Sequence, residues 1–487
     1  MRVRMYRQGL GDCFLLTFGT GPTPVHMLID CGTLGATTTG VSMSDVVQNI
    51  ADETGGHLHL LVATHEHKDH VSGFLTEQKR FDALDVDQVW VAWTEDPKDE
   101  QAIALRKYAN DVIASLRFAV DALESSQALD ARERTALAGL GAGVRELLGF
   151  YGDLPAGGTP LAAGFAETVH AAMSYATMRA GRLPNFLLPG QVLEPAWLPG
   201  VRVYVLGPPR SKAAMQTLGA HGSPDLYAMS AEHGADLALS ARFFTSEAPL
   251  VAFRDALEIG ERQRFERGLP FDPRFRIEWA AGPPRARSLA SYDDPASAWR
   301  RIDCDWLTAA TDLALQLDNV TNNTSLVLAI ELIADGRVLL LPADAQLGSW
   351  LSWHDLTWDV AGPGGTVRKV TAADLLRRVV LYKVGHHASH NATARGRGLE
   401  LMQRDDLVAL IPVDRAVALG KSPPWQMPAG PLYRRLLEKT RGRVLRSDVG
   451  WPDDADRPPS VSKAEWDQAR RSADITVDPL FIEWRLQ

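Results

Sequence analysis

Along this chain apolar residues come in short unbroken runs, then at helical spacing, then in short runs again. Val3–Tyr6 and Cys13–Phe18 are two such runs set apart by Gly9 and Gly11, the pattern of a hairpin. Val25–Ile29 reads as a third strand, closed by Asp30-Cys31-Gly32. Val41–Thr54 carries the helical period with Ser42 or Ser44 as its cap, and Leu58–Ala63 reads as a fully buried strand. Val71–Lys79 as helix and Gln88–Trp93 as strand repeat the unit, and strand–helix–strand repetition predicts a layered α/β fold.

The period changes after Pro97. Ile103, Leu105, Tyr108, Val112, Leu116 and Val120 follow helical spacing, so residues 96–186 read as a helical insertion broken near Pro155 and Pro160. Val201–Leu206 is a strand again. From Arg210 to about Trp306, Gly, Pro and Ser are frequent and no period holds, which predicts a second insertion of loops and short helices over 209–314. Leu326–Leu332 and Val338–Leu341 then form a hairpin across Ala334-Asp335-Gly336. Ala372–Arg378 and Leu432–Thr440 are helices, while Val379–Val384, Leu407–Pro412 and Arg443–Leu445 are strands. The core is thus expected in 1–95, 187–208 and 315–450, with 451–487 a tail whose Trp451–Pro459 stretch is a polar loop.

At 487 residues the chain exceeds one compact core, and two or three structural units are expected. No apolar stretch is long enough to span a bilayer, and the first residues lack the apolar core of a secretory leader. Cys13, Cys31 and Cys304 are odd in number and far apart, which fits buried thiols in a reducing cytoplasm better than a disulfide framework. The net charge of −9 argues mildly against non-specific nucleic-acid binding. Between Arg377 and Arg446, however, 14 Lys/Arg face only 5 Asp/Glu, an asymmetry that suits either a phosphate-binding surface or a solvated helix face.

The strongest chemical signal is Thr64-His65-Glu66-His67-Lys68-Asp69-His70, directly after the apolar run Leu58–Ala63. Three imidazoles and a carboxylate at a strand end can converge on divalent cations such as zinc, manganese or iron. His65-x-His67-x-Asp69-His70 resembles the signature of the metallo-β-lactamase superfamily. Leu28-Ile29-Asp30-Cys31-Gly32, Leu341-Pro342-Ala343-Asp344-Ala345 and Gly385-His386-His387-Ala388-Ser389 stand in the order of that family's other motifs. Gly9-Leu10-Gly11-Asp12, Asn322-Asn323-Thr324-Ser325-Leu326 and the His-His-Ala-Ser turn are similar to the hydrolase domain of ComEC-type competence proteins.

The resemblance implies an αββα sandwich and two divalent metal ions, zinc first and manganese as the alternative. Their ligands would come from His65, His67, Asp69, His70, Asp344 and one of His386 and His387, with His387 favoured. Asp69, Asp344 and His386 are the candidates for proton handling, and Asp30 supports a metal-bound imidazole. Asn322-Asn323 stand where many members carry a further His, and Gln426-Met427-Pro428 replaces a Gly-His-Pro. Asp344 on its own could equally cap a helix starting at Ala345. His390, Arg395 and Arg397 are candidate substrate contacts, whereas His26, His57, His59 and His354 have no spacing that singles them out. The expected function is hydrolysis by a water that two cations make nucleophilic, on a phosphodiester such as nucleic acid. An uncharged ester, lactone or amide is the alternative substrate, and a metal-stabilised scaffold that binds a protein partner through the insertions is the non-enzymatic alternative.

Overall fold

The computed structural model describes residues 1–19, 21, 23–125, 141, 143–145, 147–151, 166–217, 223–227, 305–362, 366–421 and 424–486. The chain divides into two units. One comprises Met1–Lys107, Gly149–Ser230 and Gln316–Gln487, and the other Tyr108–Leu148 and Ala231–Leu315. In the second unit Val112, Ile113, Leu116 and Val144 are buried. Cys304 and most of the expected second insertion lie outside the described residues.

The first unit is built on β-strands. The first half supplies β1 (Arg2–Tyr6), β2 (Cys13–Phe18), β3 (Val25–Cys31), β4 (His57–Leu58), β5 (Leu60–Ala63), β6 (Asp85–Val86), β7 (Val89–Ala92) and β8 (Asn185–Leu187). The remainder supplies β9 (Val192–Leu193), β10 (Val201–Gly207), β11 (Val327–Leu332), β12 (Val338–Leu341), β13 (Thr357–Ala361), β14 (Val367–Thr371), β15 (Val379–Lys383), β16 (Val408–Ile411), β17 (Val444–Arg446), β18 (Ile475–Val477) and β19 (Phe481–Arg485). Two mixed sheets result, ordered β18-β19-β1-β2-β3-β5-β7-β8 and β17-β16-β15-β12-β11-β10-β9.

Alternation along these strands makes the layers. Val3, Met5, Phe14 and Leu16 of the first sheet share one core with Val203, Val205, Leu328 and Ile330 of the second. The intervening residues face outwards onto helices. Leu15, Leu28 and Leu61 meet Val46, Ile50 and Phe74 on one side, and Tyr204, Ala329 and Leu340 meet Trp350, Leu375 and Leu436 on the other. Helices therefore cover the outer faces of two facing sheets, an α/β architecture of the layered kind expected.

Several elements differ from the reading of the sequence. Leu58–Ala63 is not one strand, because β4 leaves the sheet to pair with β6 while β5 stays in it. The helix expected over Val71–Lys79 spans Lys68–Thr76, so Asp69 and His70 lie in its first turn rather than in a preceding loop. A helix over Asp305–Asn322, where no element was expected, crosses the expected boundary between the second insertion and the core. Residues 451–487 also contribute structure: Lys463–Ser472 is a helix with a Ser42-like capping box, and β19 pairs with β1 from Arg2↔Arg485 to Tyr6↔Phe481. Ser42, not Ser44, caps the helix Met43–Thr54, exchanging bonds with Asp45. Cys13 and Cys31 are buried as expected. Among the described residues no helix is long and apolar enough to cross a membrane.

The local excess of positive charge after Arg377 is largely answered within the fold. Eight of those fourteen side chains stand in ion pairs, among them Arg378–Glu331, Arg404–Asp406, Arg435–Glu400 and Arg446–Asp448. The surface reading of this stretch thus has more support than the phosphate-binding one.

Candidate metal centre

Strand ends converge on one buried place. β3 and β5 run parallel and end at Asp30 and His65, while β12 and β15 run parallel and lead into Asp344 and His386-His387. Carboxyl ends of parallel strands leave unshared backbone and side-chain groups pointing past the sheet, which is why sites gather there. Leu326 N donates to Thr64 O at 2.9 Å, tying the two sheets together beside the site.

One donor atom from each of Asp69, His70, Asp344 and His387 lies within 4.8 Å of the other three, and all four residues are fully buried. His70 Nε2 stands 3.1 Å from Asp344 Oδ2, yet the two are not aligned as a hydrogen bond. His387 Nε2 stands 2.8 Å from Asp69 Oδ2. The far sides of both imidazoles are held: His70 Nδ1 donates to Asp30 Oδ2 at 2.7 Å and His387 Nδ1 to the Pro412 carbonyl at 2.6 Å. Those bonds fix the tautomer and turn the Nε2 lone pairs inwards. Asp30 also accepts Thr64 N at 2.8 Å and Thr64 Oγ1 at 2.7 Å, which fits the supporting role expected of it. Asp344 caps no helix, because the next helix, Leu347–Ser352, has Gln346 at its N-cap.

Whether these residues suit a cation can be tested on their unmet bonds. His67 Nε2, Asp69 Oδ1, His70 Nε2 and Asp344 Oδ2 are all buried with no hydrogen-bond partner among the described residues. Such groups cost about 1–3 kcal/mol each when left unmet. Divalent cations with nitrogen and oxygen ligands would satisfy such atoms, three of which belong to the group Asp69, His70, Asp344 and His387, and the donor set is of the kind zinc or manganese accepts.

The backbone is strained where it delivers these side chains. Asp30, Ala343, His386, His387 and Ala388 have φ of 56°, 50°, 44°, 52° and 64°, a left-handed region that costs a non-glycine residue about 1–2 kcal/mol. Five of the six such non-glycine residues in the described chain therefore border this site. Gly32 permits the close approach of the metal loop. A Cβ there would meet the Asp69 carbonyl carbon at 2.3 Å and the His70 nitrogen at 2.4 Å.

Three charged residues not among the candidate site residues read from the sequence, of which only Asp12 stood in a quoted motif, complete the electrostatics. Lys383, at the end of β15, is buried with its Nζ 2.5 Å from Asp12 Oδ2, 3.2 Å from Asp344 Oδ1 and 2.8 Å from the Ala343 carbonyl. Burial opposes its charge, but Asp12 and Asp344 outweigh burial and hold its pKa above the ordinary lysine value. Asp12 lies within ligand distance of Asp30 and His70. Asp318, on the helix Asp305–Asn322, is pushed up to about 8 by burial and then by the charges of Asp344 and Asp69. Its Oδ2 accepts Asn322 Nδ2 at 3.0 Å and its Oδ1 has no partner among the described residues. Burial lowers His65 well below its ordinary value and His67 to about 4, which keeps both in the neutral form that binds metals.

The remaining candidates are placed as follows. His65 Nε2 and His67 Nδ1 are 3.1 Å apart, beside the four-residue group. His386 is not in that group: its backbone amide donates to Asp344 Oδ1 at 3.0 Å while its Nδ1 faces Ser389 Oγ at 3.0 Å. Asn323 clips backbone instead of facing the site, donating to Met215 O and accepting Gln346 N. His390 is half-buried. Arg395 lines a surface cavity with Tyr227, Glu400, Arg434 and Arg435 that contains none of the buried donors, and Arg397 offers its carbonyl to His354. The ring of Phe150 stands 5.2 Å from His67 and stacks on Trp425 at 5.0 Å, and Tyr151 meets His67 edge-on at 4.9 Å. No sequence signal had marked these aromatics.

Compared with family models, with curated proteins and with solved structures, the chain finds no match in any of the three. The resemblance to the metallo-β-lactamase superfamily therefore rests on the sequence motifs alone.

Proposed function

We propose that this chain is a metal-dependent hydrolase of the metallo-β-lactamase fold that cleaves phosphodiesters. The observation that carries the reading is the buried group Asp69, His70, Asp344 and His387 with its unmet inward-facing atoms. In this reading His65, His67 and Asp344 would hold one divalent cation, and Asp69, His70, Asp344 and His387 would hold a second, zinc or manganese. When bound, the pair would supply Lewis acidity towards an attacking water and a phosphoryl oxygen. Asp30 and the Pro412 carbonyl orient the imidazoles, and Lys383 offsets the charge of Asp344. Asp318, whose carboxyl is pushed up to about 8 in the metal-free chain by burial and then by Asp344 and Asp69, is the chain's own candidate for holding a proton beside the site.

One observation favours a second substrate class. Phe150 and Tyr151 face His67, Phe150 also faces His386, and Trp425 stacks on Phe150, an aromatic wall that suits an uncharged ester, lactone or amide as well as a base or aryl group. A chromogenic phosphodiester and a matched carboxylic ester, each with and without chelator, separate the two. The proposal expects chelator-sensitive phosphodiester turnover that is lost in Asp69→Ala while circular dichroism stays native. Turnover of the ester alone supports the second reading, and activity untouched by either chelator or Asp69→Ala defeats both.

A further inference from the structure

His57, Leu58 and His59 alternate along the short β4–β6 ribbon that precedes β5. Leu58 is fully buried, so the two imidazoles share the other side. β4 pairs in parallel with β6, and the Asp87 amide donates to the Leu58 carbonyl at 3.0 Å. That short ribbon brings Asp87 Oδ2 to 3.1 Å from His57 Nε2. The two imidazole centroids are 4.3 Å apart, and His59 is stacked on Trp197 with 26° between the planes. One ligand atom from each of His57, His59 and Asp87 lies within 4.8 Å of the other two.

We propose that His57, His59 and Asp87 form a separate cation site that takes one divalent transition-metal ion of the kind nitrogen-rich ligands prefer, Zn²⁺, Ni²⁺ or Cu²⁺. Three protein ligands at a partly exposed edge leave the remaining coordination to water. Burial, and then the neighbouring His57, hold His59 below its ordinary pKa, in the neutral state a metal requires. The His26 amide donates to His59 Nδ1 at 3.2 Å, so a cation must either displace that long contact or find the ring turned over. This competition sets the site below the buried centre in affinity. Its role is structural: a two-stranded ribbon with two residues in each strand has little stability of its own, and an ion joining His57 and His59 to Asp87 clamps it. The two sites lie beyond opposite ends of β5, whose four residues alone span about 13 Å, and share no residue. Neither therefore depends on the other.

The test uses full-length protein stripped of metal, dialysed against Zn²⁺ and analysed for metal content. His57→Ala/His59→Ala is compared with the parent chain, and the comparison is repeated in an Asp69→Ala/Asp344→Ala background. The expected result is one zinc ion fewer per chain on loss of the two histidines, in either background. Equal zinc content in the folded variant and its parent overturns the proposal. Because removing two rings could disturb the ribbon, Asp87→Asn serves as the shape-preserving variant. It should weaken zinc at this site by at least about tenfold, the loss that follows from disturbing even an outer partner of a metal site. An unchanged affinity there overturns the proposal equally.

Discussion

Replacing Gly32 by alanine should disorganise the buried centre without adding or removing a single charge. The new Cβ would lie 2.3 Å from the Asp69 carbonyl carbon and 2.4 Å from both Asp69 O and His70 N. Carbon contacts settle at about 3.5–4.0 Å, so the Asp69–His70 peptide has to retreat by about 1 Å. The obstacle is backbone, and no flexible side-chain end can swing aside. A shift of that size is large against the 3.1 Å and 2.8 Å separations that bring His70 to Asp344 and Asp69 to His387. Over-packing of this kind costs about 1–3 kcal/mol, which corresponds to a fall in Tm on the order of 5 °C in a domain of this size. Metal affinity should fall at least about tenfold, as it does when the support of a ligand is disturbed. Thermal denaturation and metal analysis of the same preparations read both effects. Gly21→Ala, where an added Cβ meets nothing within 4 Å, is the matched control. A Gly32→Ala protein with wild-type melting and wild-type metal content would refute the reasoning.

Three further outcomes are expected. His387→Ala should lose metal while His386→Ala retains most of it, because only His387 stands in the donor group; metal analysis showing the reverse would transfer the ligand role. In metal-free protein Lys383→Met leaves Asp12 and Asp344 without their buried counter-charge and should destabilise the fold by about 3–5 kcal/mol in denaturant titrations. Glu400 is held down to about 2, chiefly by its hydrogen bonds with Arg435, so its stabilising contribution is complete above the ordinary value of 4.5 and is lost as pH falls through about 2. Glu400→Gln should thus be less stable than the parent at neutral pH, with the gap closing between pH 4.5 and 2, and a gap independent of pH would contradict this.

What the sequence made legible depended on density and on period. Three histidines and an aspartate within six residues after an apolar run mark a metal loop without help. Asp344, a single carboxylate after a strand, became a candidate only through the order of motifs around it. Lys383 was hidden because it ends a continuous apolar run, Val-Val-Leu-Tyr-Lys, where a charge usually marks the exit to solvent; here Asp12, just before β2, comes across to meet it. Asp318 was missed along with its helix, although Ala314, Leu317 and Val320, at helical spacing, lend Asp305–Asn322 an apolar face. The last strand, Phe481–Arg485, alternates apolar and charged residues, but five residues near a terminus say nothing of a partner 480 residues away until β1 is seen beside it. His57 and His59 show the limit from the other side: nothing in the sequence singled them out, and they gained meaning only when β6 brought Asp87 alongside.

The most direct test of the central claim is the metal content of His57→Ala/His59→Ala protein, in which the edge site is removed and only the buried centre can be counted. Purified without chelator, it should carry about two first-row transition-metal ions per chain, as a two-cation hydrolytic site requires, and should lose them when Asp69→Ala and Asp344→Ala are added. Folded protein that has never met chelator and holds no metal would contradict the account.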